Sequence, residues 1–161
     1  MAKQYLVCLD PGHGPETANS SPDGTFLERE FTWDMCQRLS RTLMEQDIAV
    51  ILTRTWDVKP SLTQRAEVSN AAGADLFLSI HCNANENQDI QGVFTYSYPG
   101  SEPGQALAGH VQRAVARAIG ALDRGLLTND YVVLRETAMP AALLECGFLS
   151  NSAERLRLAD P

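Results

Sequence analysis

Apolar and polar positions follow two rhythms along the chain. Short aliphatic or β-branched runs, YLVCL (5–9) and IAVILT (48–53), read as strands. Between them Phe31, Met35, Leu39 and Leu43 recur every four residues, the stripe of a helix that buries one face. The unit is strand, helix, strand. A second unit repeats it: Ser61 and Gln64 have capping-box spacing at the head of a helix whose apolar positions are Leu62, Ala66 and Val68, and DLFLSI (75–80) follows as a buried strand. GVFTYSY (92–98) alternates in strand fashion, and a helix carrying Leu107, Val111, Val115, Ile119 and Leu122 comes next. YVVL (131–134) and AALLE (141–145) read as two more short strands. Strands alternating with helices predict an α/β fold with a mainly parallel central sheet and helices on both faces, because parallel strands need crossover connections.

Composition narrows the partners. At 161 residues the chain fits one domain, 1–161, with its own core and no need of disulfides. NSAERLRLADP (151–161) starts a helix and then stops, so a last helix or a downstream C-terminal module is expected to be missing. Thirteen Lys and Arg against twenty Asp and Glu leave a net charge of −7, which argues against an electrostatic grip on nucleic acid or an anionic membrane. No apolar stretch approaches the roughly 20 residues of a membrane span, and MAKQYLVCLD is too short in apolar residues for a secretory signal. Cys8, Cys36, Cys82 and Cys146 form no C-x-x-C pair and read as buried thiols that pack as small hydrophobes.

In open α/β sheets, ligands bind beyond the carboxyl ends of the strands. The predicted strands place three chemically capable residues there: His13 in the loop after the first strand, His81 directly after DLFLSI, and Glu145 at the close of AALLE. His13 lies between two glycines, an environment a core histidine rarely occupies. Two histidines from separate loops are a common start for a zinc site, which takes a third ligand from His, Glu, Asp or Cys and keeps a position for water. LERE (27–30) offers Glu28 and Glu30; the helix dipole accounts for Glu30, which leaves Glu28 as the better ligand. Glu145, a carboxylate ending an apolar strand, is costly unless paired, metal-bound or functional. His110 sits in a helix beside Gln112 and Arg113, both read as solvent-facing, and is a surface residue.

These stretches together resemble a known family. DPGHG after the first strand, E-R-E at the head of the first helix, LTRTWD, SLTQRAEVSNAAGADLFLSIHCNA and VLRETAMPAALLECGFLSN are similar, in that order, to the zinc-dependent N-acetylmuramoyl-L-alanine amidases of the Amidase_3 type. The resemblance runs from about residue 5 to about residue 155. It implies a peptidoglycan hydrolase that cuts the amide between N-acetylmuramic acid and the L-alanine of the stem peptide, using one zinc ion. It further implies that His13, Glu28 and His81 are the metal ligands and that Glu145 is the catalytic glutamate. GPETANSSPDGT (14–25) departs from the glycine-rich acidic loop of many relatives, so the rim of the site is expected to differ. Cys146, beside Glu145, is expected to turn away and pack, by strand alternation.

Asn83 and Arg135 are secondary candidates for substrate contact or loop fixing, and Arg65 reads as a structural ion-pair partner. The protein is expected to act as a monomer on peptidoglycan, at the bacterial cell wall, either released at lysis like an endolysin or as a trimmed domain of an exported enzyme. Two other readings are a zinc peptidase of stem peptides and a non-catalytic wall-binding module. The first lacks an H-E-x-x-H helix, and the second has no use for Glu145 as a base.

Overall fold

The computed structural model describes residues 4–17 and 19–160. Six strands form one sheet: β1 (Leu6–Pro11), β2 (Ala49–Leu52), β3 (Leu76–Asn83), β4 (Val93–Ser97), β5 (Asp123–Thr128) and β6 (Ala141–Phe148), in the order β2-β1-β3-β6-β4-β5. Every neighbouring pair is parallel except β4 with β6. The chain moves from β1 outward to β2, then returns past β1 to β3. That reversal of direction opens a crevice at the carboxyl ends of β1 and β3.

Five helices cover the sheet: α1 (Glu28–Met44), α2 (Leu62–Ala72), α3 (Glu102–Ala118), α4 (Val132–Arg135) and α5 (Ser152–Leu158). The two-residue period of the strands sorts side chains between the faces. Leu9, Ile80, Cys82, Leu144 and Cys146 meet the α1 stripe of Phe31, Met35, Leu39 and Leu43, together with Val111 and Val115 of α3. Cys8, Phe77, Ala141 and Leu143 point the other way, toward Val133 and Leu134 of α4. Each fully buried Leu9, Ile80 or Phe77 contributes about 1.5–3 kcal/mol of transfer free energy. All four cysteines are free and buried, as expected. No helix among the described residues is long and apolar enough to cross a membrane.

Several elements differ from the sequence reading. YVVL is not a strand; its last three residues open the one-turn α4. The fifth strand is instead DRGLLT, an edge strand exposed along most of its length, so it carries no apolar alternation to read. α2 begins with the capping box: Ser61 Oγ accepts from the Gln64 amide at 3.2 Å and Gln64 Oε1 from the Ser61 amide at 2.8 Å. Its buried face, however, is Arg65, Ala66 and Ser69, while Leu62 and Val68 are exposed. Leu122 lies beyond the end of α3 and is exposed. Gln112 is buried rather than solvent-facing: its amide bonds Thr95 Oγ1, the Val93 carbonyl and Asp123, tying α3 to β4 and β5. His110 is on the surface beside Arg113, at 3.3 Å.

The strands that carry the candidate residues run further than their apolar runs. His81 and Glu145 lie inside β3 and β6, and they are paired in register. A polar residue ends an apolar run but not a ladder. Cys82 and Cys146 continue the alternation, packing into the core on one face while His81 and Glu145 share the other.

Candidate metal centre

The loop after β1 is built for close approach. The Gly12 amide donates to the Ile80 carbonyl at 3.0 Å, and a Cβ on Gly12 would lie 2.5 Å from His81 Cε1 and 2.7 Å from that carbonyl. Only glycine fits between the two strands there. His13 follows with φ +60°, the left-handed region that costs a non-glycine residue energy. Buried arginines hold the turn in this shape. Arg65 donates to the Pro11 carbonyl at 2.8 Å and the His13 carbonyl at 2.5 Å, and Arg54 to the Pro11 and Gly12 carbonyls. Thr32 of α1 adds a bond to the Gly12 carbonyl at 2.8 Å.

Arg65 is itself anchored by Asp10, at 2.7 Å, with both residues at most 4% exposed. Burial alone would raise the Asp10 carboxyl, but Arg65, Ser79 and Thr53 outweigh it and hold that carboxyl below its ordinary range. The expectation that Arg65 is a structural ion-pair partner therefore holds.

Glu28, the first residue of α1, is 1% exposed and lies between the two histidines. Its Oε2 is 3.0 Å from His13 Nε2, and its Oε1 is 3.1 Å from His81 Nδ1. The Cys82 amide donates to Oε1 at 2.8 Å and Asn19 Nδ2 to Oε2 at 3.0 Å. Burial opposes ionisation of Glu28, but hydrogen bonds and charge from His13 and His81 bring its pKa down to about 2. Glu28 is thus a fixed anion, held from α1, the β1 loop and β3 at once.

Glu145 is half-buried, and its Oε2 is buried without a hydrogen-bond partner among the described residues. Burial, aided by the negative charge of Glu28, pushes its pKa up to about 8. It stands beside a cavity of about 440 Å³ that His13, His81 and Arg65 also line, walled by Pro60, Leu62, Val132, Val133 and Leu143.

The donor set fits a divalent cation. Ligand atoms of His13, Glu28 and His81 lie within 4.8 Å of one another. His13 Nε2 faces both a carboxylate oxygen and the Asn19 amide nitrogen, 3.1 Å away, and one ring nitrogen cannot donate to the first while accepting from the second. A cation between the ligands removes that conflict, since each then presents a lone pair. It would also favour the ionised form of the unpartnered Glu145 carboxyl. Three protein ligands from His and Glu with an open side are the pattern of catalytic rather than structural zinc.

The four residues expected at the site are therefore gathered in one place. The secondary candidates are not all there. Arg135, expected after a strand, lies at the end of α4 and pairs with Asp130 at 2.5 Å and Glu136 at 3.5 Å. Asn83 ends β3, where its side chain accepts from the Ala84 amide, a turn contact. Cys82 and Cys146 face the core, and burial raises both thiols well above their usual range. Sequence reasoning missed Asp10 and Asn19. Asp10 carried a readable signal, an acid at the end of an apolar strand, the same feature that singled out Glu145.

Residues 7–161 match the Amidase_3 family model, N-acetylmuramoyl-L-alanine amidase. CwlM of Bacillus licheniformis, an N-acetylmuramoyl-L-alanine amidase, is 38% identical over 156 residues, which are 94% of this chain and 60% of CwlM. LytC of Bacillus subtilis (strain 168), also an N-acetylmuramoyl-L-alanine amidase, is 33% identical over 155 residues, 94% of this chain and 31% of LytC. The chain thus spans less than two thirds of these curated relatives. The crystal structure of N-acetylmuramoyl-L-alanine amidase from Clostridium difficile 630 aligns with a TM-score of 0.94 at 34% identity, covering 99% of this chain and 88% of that one. The family model, the curated relatives and the solved structure agree over nearly all of this chain: it belongs to the Amidase_3 family of N-acetylmuramoyl-L-alanine amidases.

Proposed function

We propose that this chain is a zinc-dependent peptidoglycan hydrolase of the bacterial cell wall. It cleaves the amide between N-acetylmuramic acid and the L-alanine of the stem peptide. The observation that carries the reading is the unpartnered Glu145 carboxyl on the same cavity as His13 and His81, in a chain of this family. His13, Glu28 and His81 hold the ion. When bound, zinc acidifies a water and polarises the scissile carbonyl.

The residues of the chain supply the proton traffic. Glu145 Oε2 takes a proton from the attacking water as the new C–O bond forms. It returns that proton to the alanine nitrogen as the C–N bond breaks, leaving a lactyl carboxylate and a free amine. A carboxylate kept basic by burial suits the first half of this exchange, and its protonated form suits the second. The apolar cavity walls limit bulk water around the reacting carbonyl. Arg65 and Gly12 do not react; they hold the His13 loop where its imidazole meets Glu28.

The test is release of new amino termini from purified peptidoglycan, with and without a chelator, by wild type and Glu145→Ala. Alanine termini should appear with zinc, vanish on chelation and be absent with a Glu145→Ala protein that still binds zinc. Termini other than alanine would instead indicate a peptidase, and an active Glu145→Ala protein would remove the proposed base.

A further inference from the structure

The cavity beside Glu145 carries one cation that the reaction leaves unused. Lys59 lines it, together with His13, His81 and Arg65. Arg65 is consumed by Asp10 and by backbone carbonyls. Lys59 is different: it is exposed, and no hydrogen bond or ion pair engages its ammonium among the described residues. Its backbone is nevertheless fixed against the site. A Cβ on Gly14, next to His13, would lie 3.1 Å from Lys59 Cβ and 3.2 Å from its Cα. Pro60 and the Ser61 capping box of α2 follow immediately, which limits how far the segment can swing.

A lining lysine whose ammonium has no partner among the described residues is a selective feature of a largely apolar cavity in a chain whose net charge is −7. The net negative charge of the chain disfavours anions, so an anionic group is favoured where a local positive charge offsets it. The cavity, about 440 Å³, is of a size for a short peptide segment. Resting on the amidase reading above, we propose that Lys59 is a specificity-determining residue. It takes a free carboxylate of the stem peptide, close to the cleaved bond, and so favours muramoyl peptides in which that carboxylate is not amidated.

The test is a calorimetric titration of zinc-loaded Glu145→Gln protein, which is expected not to turn over. Two muramoyl dipeptides are compared, identical except that the second residue carries a free α-carboxylate in one and a carboxamide in the other. The carboxylate form should bind about five-fold more tightly, the size of effect expected of a solvent-accessible charge pair, and the preference should weaken with salt. Adding Lys59→Ala should bring the ratio of the two affinities close to one, Lys59→Glu should invert it, and Lys59→Arg should keep it. Equal affinities, no binding of either peptide, or a preference that survives Lys59→Ala overturns the inference. Cleavage by the wild-type protein is scored separately: preferential binding without release of alanine termini would leave the Lys59 role intact and sink the amidase reading.

Discussion

Gly12 and His13 divide the work of the first loop. Gly12 is required for space, since an added Cβ would sit 2.5 Å from the His81 ring, whereas His13 bears a left-handed backbone that glycine would adopt more easily. His13 carries that conformational cost, and from this backbone its imidazole reaches Glu28. Gly12→Ala should therefore displace His81 and weaken zinc affinity by roughly 10- to 100-fold, as loss of support around a ligand does. Competition against a chromophoric chelator reads this directly, and undiminished affinity would show that the strands separate freely. Glu145 is predicted to behave in the opposite way. Glu145→Gln preserves shape and leaves the three proposed ligands untouched, so zinc affinity should persist. Alanine release should fall by about 10²- to 10⁴-fold, the span of a general acid–base group.

The Asp10–Arg65 pair joins separate elements. Asp10 is the penultimate residue of β1, Arg65 comes from α2, Ser79 from β3, and Thr53 from just beyond β2. Removing the charge of Asp10 leaves the Arg65 guanidinium buried and uncompensated, so Asp10→Asn should cost about 3–5 kcal/mol in denaturant unfolding. The pH dependence follows from the lowered Asp10 pKa. The stability this carboxylate contributes is fully present above its unfolded-state value of about 4, and it is lost as pH falls through the lower folded-state value. The acid limb of the stability curve, below about pH 4, should accordingly flatten in Asp10→Asn relative to wild type. Elements were legible in the sequence where one face is buried with a clean period: the α1 stripe, the α2 capping box and the strands of the first two units. The edge strand β5 has little buried face and left no pattern. A four-residue apolar run such as YVVL cannot distinguish a strand from one helical turn. The α2 face was misjudged because its most buried long side chain is an arginine, whose ion pair with Asp10 appears only in three dimensions. His13, His81 and Glu145 were legible because the ends of parallel strands share one edge; Glu28 needed the alternative Glu30 to be set aside.

At the scale of the molecule, the centre closes a distance that the chain leaves long in sequence. His13, Glu28 and His81 come from the β1 loop, the start of α1 and the third strand, and Glu28 contacts both histidines. An ion bound to all three cross-links one half of the sheet to its covering helix, and the unfolded chain offers no comparable site. Binding must then appear as folding stability. With free zinc at 100 times its dissociation constant the gain is about 2.7 kcal/mol, and at about 2–4 °C per kcal/mol for a domain of this size the melting temperature should rise by roughly 5–10 °C. Differential scanning fluorimetry with zinc, and with zinc followed by chelator, measures the shift and its reversal. His13→Ala removes a proposed ligand at the loop without emptying the core, so it should abolish the zinc-dependent increment while leaving the chelated melting temperature close to that of the wild type. A full increment in His13→Ala would place the stabilising ion elsewhere on the molecule, whereas no increment in the wild type would mean that the preformed cluster binds zinc too weakly for the ion to stabilise the fold.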